Sequence, residues 1–105
     1  MGYELHLTRR TLWFDEGNDI TKEEFVDYVK SDPEFSYPGQ CGEDYADWKS
    51  PTGRYITWLC WTNGQLITKN PEAEFVDKMV MIATKLNAKV QGDDGETYQS
   101  SSVYG

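Results

Sequence analysis

The chain has 105 residues, 38% of them hydrophobic and 14% aromatic, enough for one core and too few for a second domain. Its formal net charge is −8, and eleven of the eighteen acidic residues fall between positions 15 and 47 against only Lys22 and Lys30. Such a field opposes binding to nucleic acid and to anionic membranes, and it favours a basic protein partner.

Residues 3–8 alternate, with Tyr3, Leu5 and Leu7 on one side and Glu4, His6 and Thr8 on the other, the period of a half-buried strand. Trp13 and Phe14 precede a turn-rich Asp15-Glu16-Gly17-Asn18 stretch. Thr21 and Glu24 have the spacing of a capping box, flanked by Ile20 and Phe25 as a hydrophobic staple. The spacing predicts a helix over 22–31 with Phe25, Val26, Tyr28 and Val29 inward, stopped at Ser31-Asp32-Pro33. Pro33, Pro38 and Pro51, with Gly39 and Gly42, predict a long irregular connection over 31–53 containing one short edge strand. It carries Phe35, Tyr37, Tyr45 and Trp48, too many aromatics for a solvated linker.

Asn63-Gly64 is the dipeptide of a type I′ turn, and it predicts a hairpin of residues 54–62 with 65–69, pairing Trp61 with Leu66 and Cys60 with Ile67. Both faces of this hairpin are apolar, Leu59, Trp61 and Leu66 on one and Ile56, Trp58, Cys60 and Ile67 on the other. Asn70 as N-cap with Pro71 at the first helical position predicts a second helix over 71–86, ended by Asn87 in the left-handed region. A short strand over 88–91, a turn at Gly92-Asp93-Asp94-Gly95 and a return over 96–98 complete the pattern. The order predicts a single α+β domain over 1–98, an antiparallel sheet with two helices on one face in a ferredoxin-like split β-α-β arrangement, followed by a frayed polar tail at 99–105.

Two stretches carry a resemblance. The opening Met1-Gly2-Tyr3-Glu4-Leu5-His6 and the closing Lys89-Val90-Gln91-Gly92-Asp93-Asp94-Gly95-Glu96 resemble segments of small uncharacterised bacterial proteins with similar ends. Common ends around a divergent acidic middle resemble, in size, charge and organisation, the immunity proteins that protect bacteria from contact-delivered toxins. The analogy implies a toxin inhibitor and carries over no individual residue.

The residues offer little to catalysis. His6 is the single histidine, and Cys41 has no local signature of a catalytic nucleophile beside a base. Asp93-Asp94-Gly95-Glu96 lacks the spacing of a calcium loop and reads as an acidic turn. No phosphate loop, dinucleotide fingerprint or zinc motif is present, so neither an enzyme nor a cofactor or metal is expected. Cys41 and Cys60 are expected as reduced thiols in a cytoplasmic chain, since its start has no basic or apolar export signal and no apolar run is long enough to span a bilayer.

What remains is a surface. Two helices can cover only one sheet face, so either the Trp58 or the Trp61 side needs another cover. The expected partner-binding residues are Tyr37, Asp44, Tyr45, Asp47 and Trp48, with His6 and Trp58 on an open sheet face. The leading function is occlusion of a basic toxin's active site by this acidic, aromatic surface. A homodimeric interaction module and a small-molecule-binding ferredoxin-like domain with His6 and Trp58 in a pocket are the alternatives.

Overall fold

The computed structural model describes residues 4–53 and 56–98. The expected tail at 99–105 lies outside the described residues, as do Tyr3, Arg54 and Tyr55 of the expected strands. The elements are β1 (Glu4–Thr8), α1 (Lys22–Ser31), β2 (Phe35–Ser36), β3 (Tyr45–Lys49), β4 (Ile56–Thr62), β5 (Gln65–Lys69), α2 (Ala73–Lys85), β6 (Lys89–Gln91) and β7 (Thr97–Tyr98). One antiparallel sheet holds all seven strands in the order β2-β3-β4-β5-β1-β6-β7. Its centre, β6-β1-β5-β4, has the order of a split β-α-β sandwich, with β2 and β3 added at one edge and β7 at the other.

Local chemistry explains the element ends. Asn63 and Gly64 have φ of 50° and 78°, as a type I′ turn requires, and Cys60 faces Ile67 while Trp61 faces Leu66. The Thr21 hydroxyl accepts from the Glu24 amide, and the Glu24 carboxylate accepts from the Thr21 amide, so the capping box is complete. Asn87 has φ 58° just beyond α2. The start of α2 differs from expectation. Asn70 has φ 45°, incompatible with the extended backbone of an N-cap, and the helix begins two residues after Pro71 with Glu72 as an N-cap that makes no side-chain cap bond.

The segment over 31–53 is more regular than its prolines imply. Ala46 and Trp48 alternate with Tyr45, Asp47 and Lys49, so β3 buries one side against the core and pairs along its whole length with β4.

Both helices cover the face formed by Phe35, Ala46, Trp48, Leu59, Leu66, Leu5, Leu7 and Val90, and Phe25, Val29, Phe75, Val76, Met79 and Ile82 fill the space between. β1 departs from the half-buried pattern: Leu5, His6, Leu7 and Thr8 are all buried. A loop over residues 9–19 covers the second face of this central strand.

Arg10 fixes that loop. Its buried guanidinium donates to Gly17 O, Trp13 O, Asn63 O and Asp19 Oδ1 at 2.6–3.1 Å. The Ile20 amide bonds Gly64 O at 2.8 Å, and a Cβ on Gly64 would fall 2.4 Å from Asp19 Cγ, so only glycine admits this contact. Arg10→Met should leave four acceptors without their donor and lower stability by about 3 kcal/mol, measured by urea unfolding.

Ion pairs tie α1 to its surroundings. Arg9 binds both oxygens of Glu24 and, with the Thr21 amide, holds that carboxyl at about 2 rather than 4.5. Burial works to raise Asp32, but Lys78, Tyr28 and the Glu34 amide outweigh it and hold the carboxyl below its ordinary value. Each folded-state value is depressed, so these contributions are present above the unfolded carboxylate range and are lost as pH falls. Urea midpoints of Glu24→Gln should therefore vary less than wild type between about pH 4.5 and 2.

Candidate binding face

Strand alternation puts Tyr45, Asp47 and Lys49 of β3, Ile56, Trp58 and Cys60 of β4, and Ile67 of β5 on the sheet face away from the helices. The same face continues through His6 of β1 and Gln91 of β6, but there the loop closes over it. Trp13 lies flat on His6 with ring centroids 3.8 Å apart and planes within 4°. Gln91 locks the loop down, its Oε1 accepting from the Trp13 amide and its Nε2 donating to Thr11 O, both at 2.8 Å. Among the described residues, the outer face thus divides into a covered half over β1 and β6 and an uncovered half over β3, β4 and the near side of β5.

On the uncovered half, Tyr45 and Trp58 meet edge to face at 5.5 Å, and Ile56 is 74% exposed beside them. A groove of about 420 Å³ runs between Ile56, Asp47 and the turn of Pro38, Gly39 and Gln40. Asp47 shapes this wall by accepting the Gln40 amide at 3.1 Å. Gly39 is required there, because a Cβ would meet Asp47 Oδ1 at 2.9 Å and Tyr45 at 3.0 Å. Cys60 is buried below the face, which raises its thiol above the ordinary range, while Cys41 is exposed in the turn and neither is bridged.

The expected site residues separate into groups. Tyr45, Asp47 and Trp58 come together on the uncovered half-face, and Asp44 lies at its margin, paired with Lys22 Nζ at 2.8 Å. Tyr37 is on the helix side, half-buried edge-on against Phe25 with Lys30 Nζ 5.8 Å above its ring.

Trp48, expected as an exposed anchor, is 1% exposed: its ring packs on Phe75 at 4.7 Å and its indole donates to Glu34 Oε1. It belongs to the core because it shares the inward side of β3 with Ala46. His6, expected on an open face, is buried under Trp13. It therefore lines no pocket with Trp58, and β5 and β4 separate it from β3 and the adjoining Cys41 turn. The residues that sequence reasoning passed over are Trp13 and Arg10, which decide how much of the face is covered, whereas Ile56 and Ile67 share the face of Trp58 and Cys60 as their alternation implies.

The acidic middle is also less free than its charge count implies. Asp19, Glu24, Asp32, Glu34 and Asp44 each pair with an Arg or Lys of the chain itself. Among the described residues, no helix is long and apolar enough to cross a membrane.

No protein-family model, curated protein or solved structure matches the chain.

The division between core and face is measurable. Trp48→Ala should cost about 3–5 kcal/mol of stability, whereas Ile56→Ser should stay within about 0.5 kcal/mol, both by chemical denaturation.

Proposed function

We propose that this protein is a non-catalytic binding protein of the bacterial cytoplasm, an immunity-type inhibitor that docks a basic toxin domain on the uncovered half of its sheet. One observation carries the reading. Half-buried Tyr45 and Trp58 and exposed Ile56 present an apolar patch that no other described element covers, bordered by Asp47 of β3 and by the turn holding Glu43 and Asp44. Rigid aromatics on a strand make anchors at little entropic cost, and a carboxylate rim speeds the approach of a cationic partner. A partner seated there would be occluded sterically, with carboxylates placed where an anionic substrate of the toxin would bind.

The net charge supports a basic partner over nucleic acid or an anionic membrane. The internal ion pairs narrow the steering charge to groups outside them, which include Asp47 opposite Trp58 and Glu43 in the turn before β3.

The test starts from the reading frame beside the gene. A variable C-terminal domain of a secreted protein encoded there is purified and its binding followed at two salt concentrations. Wild type should form a one-to-one complex. Trp58→Ala and Ile56→Lys should raise the off-rate at least about tenfold, with unchanged thermal melts for Ile56→Lys. Glu43→Gln with Asp47→Asn should slow association and weaken its salt dependence. Binding indifferent to the half-face variants would overturn the assignment. So would sedimentation showing a stable homodimer that Ile56→Lys dissolves.

A further inference from the structure

The covered half of the same face holds a second arrangement, independent of partner docking. His6 pairs with Gln91 across β1 and β6, and continuing that antiparallel register sets Asp93 across from Glu4. The Glu4 amide donates to Asp93 Oδ2 at 3.3 Å. The His6 imidazole Nε2 lies 3.0 Å from Asp93 Oδ1 and 3.9 Å from Glu4 Oε1, and the three side chains each offer a ligand atom within 4.8 Å of the others. His6 forms the floor with 2% side-chain exposure, while Glu4 and Asp93, at 31% and 39%, form a rim open to water.

The ring is held from behind. Trp13 stacks on the imidazole and donates its indole N–H to Asp93 O at 3.1 Å, so one side chain restrains both His6 and the Asp93 backbone. Elsewhere, where the fold crowds carboxylates, it supplies a dedicated cation: Lys78 sits between Asp32 and Glu34 at 2.7 and 3.0 Å. Here the nearest lysine is Lys69, 3.8 Å from the second oxygen of Glu4, and Asp93 has no Lys or Arg partner among the described residues. Two converging carboxylates, one restrained imidazole and a water-facing side are a mixed nitrogen and oxygen donor set that suits a divalent transition-metal ion such as zinc or manganese.

We propose that Glu4, His6 and Asp93 bind one divalent transition-metal ion, completed by water, which clamps the turn after β6 onto β1. The ion would sit on Nε2; Nδ1 of the same ring is buried with no hydrogen-bond partner among the described residues. Bond lengths near 2.1 Å call for ligand atoms about 3.0–3.5 Å apart, so Glu4, on the rim, closes from 3.9 Å on His6 Nε2 and from within 4.8 Å on Asp93.

The chelator-treated chain is titrated with zinc and, separately, with manganese and magnesium, following heat and thermal melting. Cobalt serves as a coloured probe of the coordination. The expected result is one site for zinc or manganese, a concentration-dependent rise in melting temperature, and visible cobalt bands of a nitrogen and oxygen donor set. Asp93→Asn and Glu4→Gln, both on the rim, should fold and weaken binding at least about tenfold each. His6→Gln adds the direct loss of the imidazole donor; should it fail to fold, the rim variants and the cobalt spectrum still decide. No saturable binding up to millimolar zinc would overturn the proposal, leaving His6 and Asp93 as a structural hydrogen bond. Zinc binding unaltered in the rim variants, or matched by magnesium, would overturn it as diffuse attraction to an acidic surface.

Discussion

The buried guanidinium of Arg10 is the contact on which the outer half of the molecule depends. It gathers two carbonyls and a carboxylate of its own loop together with a carbonyl of the Asn63-Gly64 turn, 53 residues away. A planar fork with five donors can serve acceptors in several directions at once, which a lysine cannot. By anchoring the loop to the hairpin, Arg10 fixes where Ile20 enters α1 through its bond to Gly64, and it carries Trp13 to its seat over His6. Without that seat, the buried His6 and Thr8 of β1 and Gln91 of β6 would face water and the sheet would be open along its full width. The loop is thus the substitute for a third layer over half of one face.

Electrostatics follow from the same economy. A chain with eighteen acids and ten Lys or Arg has few cations to distribute, and the fold places them where backbone geometry forces carboxylates inward. Lys78 serves Asp32 and Glu34 at the junction of α1, β2 and α2, Arg9 serves the capping glutamate of α1, and Lys22 reaches Asp44 across to the turn before β3. Much of the charge excess in the middle of the sequence is therefore neutralised locally, so net charge overstates the field available for steering a partner.

The elements legible in the sequence were those with local signatures. The type I′ turn and the capping box each need only a few adjacent residues, and both formed as their residue types require. Features decided by distant partners were not legible. Arg10 is one of two neighbouring arginines, and nothing nearby distinguishes a buried clamp from a solvated charge. His6 alternates as an outward residue should, and it is buried because Trp13, seven residues on, folds back over it. Trp48 was recoverable: reading Ala46 and Trp48 as one side of a strand would have placed it inward, but the flanking prolines and glycines masked that period. Asn70 has the composition of a cap, yet the exit from β5 demands positive φ there, and helix initiation moves to Glu72.

The two halves of the outer face are joined through β5. Ile67 lies opposite Cys60 on one side and His6 on the other, and Lys69 of the same strand reaches Glu4. A change that loosens the loop therefore has two separable consequences. Losing Trp13's stack frees the imidazole and uncovers polar ground beside His6, whereas the aromatic patch on β3 and β4 keeps its geometry, because it is set by cross-strand packing of Tyr45 on Trp58 and by Asp47's hold on Gln40. The patch rests on the sheet itself; the histidine group rests on a loop held by Arg10 and Gln91. That difference makes the patch the surface set by strand pairing and the histidine group the one whose order depends on the loop above it.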